Sequence, residues 1–184
     1  MTTAKRYSAS LIALHWLLAV SLVGLFGLGL WMVELGYYDP WYRKAPDLHK
    51  SIGVCVVALM LLRAGVRLAQ GVPAAISNHS VVEKKLAGVA QFCLYALVFL
   101  MFPSGYLIST ADGRALEVFG VVSIPALITS VDNLEDIAGE VHEILAFSLI
   151  AIASMHALAA FKHHWIDRDD TLRRMLGLAS RQRN

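Results

Sequence analysis

Four apolar stretches, each close to the length that crosses a lipid bilayer, constrain the fold of this chain more than any other feature. Three are plain, at residues 11–33, 86–110 and 141–161. A spanning helix needs about 20 predominantly apolar residues, and these stretches meet that length. The fourth, at 48–68, has an uncharged centre and carries Lys50, Arg63 and Arg67 near its ends, where long basic side chains can reach the interface.

The composition agrees with this interpretation. Of the 184 residues, 57% are hydrophobic and only 16% are charged, a more apolar balance than in soluble domains. The first stretch is too long for the apolar core of a signal peptide and contains His15, so we expect it to be retained. We therefore predict an all-α fold, a transmembrane four-helix bundle that forms one integral membrane domain over residues 1–184.

The charged residues predict how the bundle is oriented. Basic residues concentrate in the N-terminal arm, the second connection and the tail, whereas the third connection is acidic. The basic residues are Lys5, Arg6, Arg63, Arg67, Lys84, Lys85, Lys162, Arg168, Arg173, Arg174, Arg181 and Arg183, and the acidic ones are Asp112, Glu117, Asp132, Glu135, Asp136 and Glu140 against Arg114. Because cytoplasmic flanks carry the excess of Lys and Arg, both termini are expected in the cytoplasm. The apolar segment FGVVSIPALI of the third connection is expected at the outer interface, where Pro125 ends any helix.

Histidines inside the apolar stretches are the strongest functional signal. His142 and His156 lie fourteen residues apart in the last stretch, which on a helix is within about 40° of four full turns and about 21 Å of rise. The two therefore share a face at opposite depths. His15 lies near the inner end of the first stretch and His49 at the outer end of the second. Depth thus sorts the four into two pairs, His15 with His156 and His49 with His142.

Several kinds of chemistry can explain such pairs. An ionisable side chain within a bilayer is costly and is a functional candidate by default, although a hydrogen-bonded packing histidine is the plain alternative. Two imidazoles that face each other across a bundle can be the axial ligands of a haem. Structural zinc prefers four ligands, and only Glu143 could add a third to one pair. A metal-ion permease is disfavoured because the spans hold no acidic pair.

Residues near the four histidines extend this interpretation. Small residues would let a flat macrocycle approach the backbone, or would serve close helix packing; they are Ala19, Gly53, Ala146, Ala153 and Ala160. Arg63 follows His49 by the same fourteen residues, and its guanidinium matches a haem propionate. Arg67 and Lys50 are further candidates for pairing with propionates. Anchoring at the membrane surface is the alternative for these basic residues.

The remaining polar and reactive residues carry less signal. His79 is expected to face solvent. His163 and His164 are expected to lie at the membrane interface, and their functional alternative is a role beside a haem edge or a quinone headgroup. Cys55 and Cys93 are expected to be small packing residues. No C-x-x-C-H occurs in the chain, so covalent attachment of haem is not expected.

At this point the sequence resembles a known group, the bacterial cytochrome b561 family, which is related to the membrane cytochrome b subunits of nickel-iron hydrogenases. The likeness covers nearly the whole chain. It rests on ALHWL around His15, on LHKSIGVCVVALMLLRAGVRL from His49 onward, and on HEILAFSLIAIASMHALAAFKHH followed by DDTLRRML. The resemblance implies a multi-pass protein of the bacterial inner membrane. It also implies two non-covalent b-type haems with His15, His49, His142 and His156 as axial ligands.

The function that the resemblance implies is transfer of single electrons across the inner membrane, between an outer donor and the quinone pool. Superoxide is one candidate donor and ubiquinone one candidate acceptor, so an enzyme of this kind would be a superoxide:ubiquinone oxidoreductase. The acidic third connection departs from that pattern, since a superoxide site favours positive potential. The alternative is a non-catalytic membrane anchor and electron relay of a larger dehydrogenase or hydrogenase. No catalytic residue is assigned, and the expected partners are the lipid bilayer, a quinone, the donor and a redox subunit, with no nucleic acid.

Overall fold

A computed structural model of the chain describes residues 6–71, 73–74, 76, 79–129 and 131–178, so Lys5, Arg181 and Arg183 lie outside the described residues. Its elements, in chain order, are helices α1 (Ala9–Met32), α2 (Lys44–Gln70) and α3 (Val81–Thr110), strands β1 (Leu116–Val118) and β2 (Val122–Ile124), and helices α4 (Leu134–Trp165) and α5 (Thr171–Met175). The four long helices are long and apolar enough to cross a membrane. The transmembrane four-helix bundle predicted from the sequence is therefore confirmed.

The helices extend beyond the apolar stretches that revealed them. The second helix begins at Lys44 rather than at residue 48, and the fourth runs from Leu134 to Trp165 rather than from 141 to 161. Capping explains where α3 begins. The Ser80 hydroxyl accepts a hydrogen bond from the backbone N–H of Glu83, and the Glu83 carboxylate accepts one from the backbone N–H of Ser80. Because this pair satisfies donors at the start of α3, that helix begins five residues before residue 86. The apolar stretches mark the part of each helix inside the bilayer, and not its ends.

The centre of the bundle is a small apolar cluster. Its buried members are Leu18, Val56, Met60, Val98 and Leu149, one or two from each long helix. Many other apolar side chains of the four helices point outward; Val20, Phe92 and Leu158, for example, are 70%, 73% and 65% exposed. In a soluble protein such exposure would be costly, whereas in a membrane these side chains contact lipid.

The helices pack in two tight pairs. The most extensive contacts are those of α1 with α2 and of α3 with α4, whereas α1 meets α4 at few backbone positions. Side chains therefore bridge most of the space between the two pairs of helices. A bundle of this kind leaves room between its pairs for a flat group held by side chains from both.

The third connection folds into a hairpin that the sequence analysis did not anticipate. Strands β1 and β2 pair antiparallel, with Leu116 opposite Ile124 and Val118 opposite Val122. The Ser51 hydroxyl of α2 donates to the Asp47 carbonyl and accepts from the N–H of Phe119 at 2.9 Å, which fastens the hairpin turn to α2. We call this side of the bundle the hairpin end; it also holds the starts of α2 and α4.

The opposite side, which we call the tail end, is closed by the C-terminal segment. Indole Nε1 of Trp16 donates to the carbonyl of Met175 at 2.8 Å, and the Arg174 guanidinium donates to the carbonyl of Ala74 at 2.8 Å. These bonds join α1, the connection between α2 and α3, and α5. The first and last described segments of the chain therefore lie at the same end of the bundle.

Candidate functional site

The hairpin-end half of the bundle brings together one of the two histidine pairs. His49 lies in the second turn of α2 and His142 near the start of α4, and their ring centres are 6.2 Å apart with ring planes at 67°. Both side chains point into the space between the two helix pairs. Neither ring is fully enclosed, and both are of intermediate burial.

The tail-end half repeats this arrangement with the other two histidines. His15 of α1 and His156 of α4 have ring centres 6.4 Å apart and ring planes at 74°. The fourth helix therefore contributes one imidazole to each level, and α1 and α2 contribute one each. The structure brings together the same pairs that depth along the helices selects.

The hydrogen bonds of Ser104 fix the orientation of His142. The Ser104 hydroxyl donates to the carbonyls of Leu100 and Met101, at 3.2 and 3.0 Å, and lies 2.9 Å from Nδ1 of His142. When the single hydroxyl hydrogen is donated to one of those carbonyls, the oxygen accepts from Nδ1–H of His142, which is the tautomer that leaves Nε2 free for a metal. The opposite nitrogen, Nε2, is then unprotonated and can coordinate a metal.

Two glycines make room for the hairpin-end rings. A Cβ atom at Gly105 would lie 3.1 Å from Cε1 of His142, and one at Gly29 would lie 3.4 Å from Cε1 of His49. Each imidazole is thus packed edge-on against the backbone of the helix paired with its own. Neither Ser104 nor Gly29 belongs to a sequence motif. Their places beside the imidazole rings depend on the packing of α3 on α4 and of α1 on α2, so they could not be recognised from the sequence.

The spacing of the pairs fits a metal between the rings. Two imidazole nitrogens on opposite sides of one metal ion, each about 2.0–2.1 Å from it, place the ring centres about 6.3 Å apart. The observed separations are 6.2 and 6.4 Å. Nδ1 of His49 is buried with no hydrogen-bond partner and faces Gly29, so the His49 ring is held by packing alone. The donor set of both levels suits a haem iron with two axial imidazoles.

The alternative of a zinc ion between the spans lacks ligands. Among the described residues, the groups of three or more His, Cys, Asp or Glu side chains close enough to hold a metal contain none of the four bundle histidines. Glu143 therefore adds no third ligand to the His142 pair. Two imidazoles alone are too few for the four-coordinate sites that structural zinc prefers.

The basic residues predicted to meet propionates lie at different places. Arg63 donates to the carbonyl of Leu11, which lies one helical turn before His15 on α1. Arg67 is turned toward α3, where it donates to Oε1 of Gln91 at 3.1 Å. Lys50, next to His49, pairs with Asp47 at 2.9 Å. Arg63 alone is beside a histidine pair through interactions that the structure records.

A cleft opens at the hairpin end, next to His49 in the chain. Its volume is about 580 Å³, and its charged lining comes from α2 and from the third connection: Lys44, Asp47, Lys50, Arg114 and Glu117. The Arg114 guanidinium holds the pKa of the exposed Asp112 carboxyl below its usual range. The cleft joins residues more than sixty positions apart, which is why sequence reasoning did not assemble it.

The histidines at the tail end differ from expectation in one case. His79 does not face solvent: its side chain is 16% exposed, and its Nε2 lies 2.6 Å from Oδ2 of Asp169. His163 lies beside Asp167 and Asp169. His164 packs against Trp165. The expectation for His79 was wrong because the tail folds back over the connection that carries it.

Comparison with known proteins finds relatives that match nearly the whole chain. The family model for prokaryotic cytochrome b561 matches residues 6–178. Cytochrome b561 homolog 2 of Escherichia coli strain K12 is 44% identical over 178 residues, 97% of this chain and 95% of that protein. Probable superoxide oxidase CybB of Yersinia pestis is 29% identical over 177 residues (94% and 96%), and cytochrome b562 of Cereibacter sphaeroides is 26% identical over 182 residues (96% and 98%). The similarity therefore extends along nearly the whole chain.

Proposed function

The chain belongs to the prokaryotic cytochrome b561 family, and we propose that within it this protein is a di-haem cytochrome that passes single electrons between an outer donor and the quinone pool. Membership makes it an electron-transfer protein of the bacterial inner membrane and implies b-type haem. The number of haems, their ligands and the identity of donor and acceptor belong to the proposal.

The observation that carries the proposal is the repeated imidazole pair. The ring centres are 6.2 Å apart at one level and 6.4 Å at the other, and each pair joins α4 to a different helix. We assign His49 and His142 as ligands at the hairpin end and His15 and His156 at the tail end. A b-type haem held by two histidines supplies outer-sphere transfer of one electron at a time.

The other residues of the chain position these ligands and balance charge. Ser104 holds the His142 ring so that Nε2 faces the gap between helix pairs, and the two glycines let the rings sit against the backbone. Arg63 is the residue we assign to a propionate at the tail end, since it reaches the Leu11 carbonyl one turn from His15 and a guanidinium pairs well with a carboxylate. Arg67 and Lys50 are assigned weaker contributions of the same kind, because each has another partner.

The orientation is part of the proposal. We assign the tail end to the cytoplasm because basic residues concentrate there, and the hairpin end to the outside because the third connection is acidic. A protease added to intact spheroplasts should then cleave the hairpin connection and leave the C-terminal tail uncut. Cleavage of the tail from outside would reverse the assignment.

The hairpin-end cleft is the proposed approach for the donor. Lys44, Lys50 and Arg114 line it together with Asp47 and Glu117. Because Lys50 is paired with Asp47 and Arg114 with Asp112, Lys44 is the basic side chain that we assign to meeting a small anion such as superoxide. A relative at 29% identity is named a probable superoxide oxidase, which supports this choice. Ubiquinone is the proposed acceptor.

The experiment is purification of the chain alone, followed by a haem count and stopped-flow spectroscopy. We expect two b-type haems per chain and rapid haem reduction by superoxide, with reoxidation by ubiquinone. A protein with two haems that stays inert with both reagents, and gains activity only with an added redox subunit, would support the alternative of a membrane anchor and relay. A count of one haem or none would overturn the two-level assignment itself.

A further inference from the structure

A cluster of histidines and carboxylates at the tail end has no role in the proposed electron transfer. It joins three separate segments: His79 just before α3, His163 in the last turn of α4, and Asp169 between α4 and α5. His163 lies seven residues beyond His156, so it is about 10 Å further along the same face of α4. The cluster is therefore distinct from the imidazole pair at that end of the bundle.

The carboxylate of Asp169 is the fixed point of the cluster. Its side chain is only 5% exposed. One oxygen, Oδ1, accepts the backbone N–H of Thr171 at 2.7 Å, and the other, Oδ2, lies 2.6 Å from Nε2 of His79 and 3.3 Å from Nδ1 of His163. A buried carboxylate with one oxygen held by the backbone and the other presented to two imidazoles is oriented in the way ligands of metal sites are oriented.

The two imidazoles converge on that oxygen. Their rings are stacked, with centres 4.3 Å apart and planes at 27°. Nδ1 of His163 also lies 2.7 Å from Oδ2 of Asp167, but neither carboxylate has the alignment of a hydrogen bond to it. His163 is thus in contact with negative charge without the directed bond that would satisfy its ring nitrogen.

The donor atoms are close to the spacing that a metal requires. The three ligand atoms of His79, His163 and Asp169 lie within 4.8 Å of one another. Donors about 2.0–2.2 Å from one tetrahedral ion are about 3.3–3.5 Å apart. The 3.3 Å contact of His163 with Asp169 has that spacing, and the 2.6 Å contact of His79 with Asp169 would have to open by less than 1 Å to admit the ion. Two imidazoles and one carboxylate form a ligand set typical of zinc, with a fourth position for water or Asp167.

A second grouping, of Glu83, His163 and Asp167, is less suited to a cation. The ammonium of Lys162 lies 3.0 Å from Glu83 and 2.7 Å from Asp167, so it already neutralises both carboxylates. The side chain of Asp169 instead contacts His79, His163 and the backbone of Thr171. The two groupings share His163, and the one whose carboxylate has no lysine beside it among the described residues is the better cation site.

We propose that His79, His163 and Asp169 bind one zinc-class divalent ion. The ion holds the C-terminal segment against the tail end of the bundle. The three ligands come from three segments, which the ion pair of Lys162 with Glu83 and the hydrogen bond of Arg174 with the Ala74 carbonyl already bring together. An ion between them would hold the start of α5 against the start of α3 and the end of α4. This site is independent of the haem ligands and of the proposed function.

The test uses the full-length, haem-loaded protein without an affinity tag, dialysed to equilibrium against Zn²⁺ near pH 7 and analysed for metal. We expect one zinc per chain, with affinity lower by about tenfold or more in His79→Ala and in the isosteric Asp169→Asn, a loss typical of disrupted metal sites. His164→Ala is the matched control, because it removes a neighbouring imidazole outside the cluster. Each variant is used only with its haem content intact, and Asp169→Asn serves if His79→Ala does not fold.

Limited trypsin digestion gives an independent readout. Zinc should slow cleavage at the arginines within 168–178 in the unmodified protein and in His164→Ala, and should have no effect in Asp169→Asn. The proposal is overturned if no stoichiometric zinc binds, since the cluster is then only an ion-pair network. It is equally overturned if His164→Ala loses as much zinc as His79→Ala, which would indicate adventitious binding to surface histidines.

Discussion

The hydrogen-bond partner of His142 Nδ1 lies on α3, the one long helix that carries none of the four bundle histidines. Ser104 lies 2.9 Å from that nitrogen, and Gly105 beside it leaves space for the ring edge. The sequence predicts which imidazoles face each other, because spacing on a helix determines face and depth. It does not predict their supports, since contacts between α3 and α4 depend on how the helices rotate against each other.

The histidine pairs lead to the first prediction. His15→Ala and His156→Ala should each remove the same haem, and His49→Ala and His142→Ala should each remove the other, because each haem needs both of its imidazoles. Haem loss is measured by pyridine haemochrome analysis together with low-temperature spectra that resolve the two centres. Loss of both haems in one variant with retained folding, or a different grouping of the four, would contradict the assignment of levels.

Ser104→Ala tests the orientation of His142. Without its acceptor, Nδ1–H is unpaired and the imidazole becomes a weaker donor to iron, so the midpoint potential of the hairpin-end haem should rise and its affinity fall about 10- to 100-fold. Potentiometric titration separates the two haems. The control is Ser109→Ala, since the Ser109 hydroxyl only donates to the Gly105 carbonyl. A shift confined to the tail-end haem would show that Ser104 acts elsewhere.

Gly105→Ala should lower occupancy of the hairpin-end haem. The added methyl group would lie 3.1 Å from Cε1 of His142, which forces the ring to move by a few tenths of an ångström; Gly29→Ala, at 3.4 Å from His49, should have a milder effect. Gly88→Ala on the same helix meets nothing within 4 Å. That control should keep both haems and gain about 0.5–1 kcal/mol of stability from its helix propensity. Equal haem content in Gly105→Ala and Gly88→Ala would remove the argument for close packing.

At the scale of elements, the four spans were predictable and the hairpin was not. Long apolar runs determine helices in a membrane because every backbone polar group must be satisfied within the segment. The segment from 116 to 124 carries no such constraint, and its pairing depends on Ser51 of α2. In that position the serine hydroxyl bridges the Asp47 carbonyl and the Phe119 N–H, a contact between residues 68 positions apart in the chain.

Ser51→Ala tests how the hairpin is held. Removing the hydroxyl leaves the Phe119 N–H without its acceptor, which should cost about 1–3 kcal/mol of local stability. Hydrogen exchange should accelerate across β1 and β2, while exchange in α1 and α4 stays unchanged. Ser109→Ala serves again as the control, because it removes a serine hydroxyl that only bonds within its own helix. Unchanged exchange at the hairpin would mean that apolar contacts of Leu116 and Val118 suffice to dock it.

At the scale of the whole molecule, the two proposed haem levels would provide an electron path across the bilayer. His142 and His156 are separated by about 21 Å along α4, and the pairs they form lie toward opposite ends of the bundle. In vesicles with ferricyanide inside and a membrane-impermeant reductant outside, the protein should support oxidation of the reductant. His49→Ala and His156→Ala should each reduce that rate to the level of empty vesicles, although each retains one haem. Unimpaired transfer through either single-haem variant would exclude a path that uses both levels.

The sequence by itself determined the bundle, the depth of each histidine and the pairs they form, because apolar length and helical periodicity are local properties. Only the tertiary structure decided that Ser104 orients His142, that a hairpin closes one end, and that His79 meets Asp169 beneath the tail. Those contacts join residues far apart in the chain, and their geometry depends on the packing of whole helices against one another. No local pattern of residue types encodes that packing.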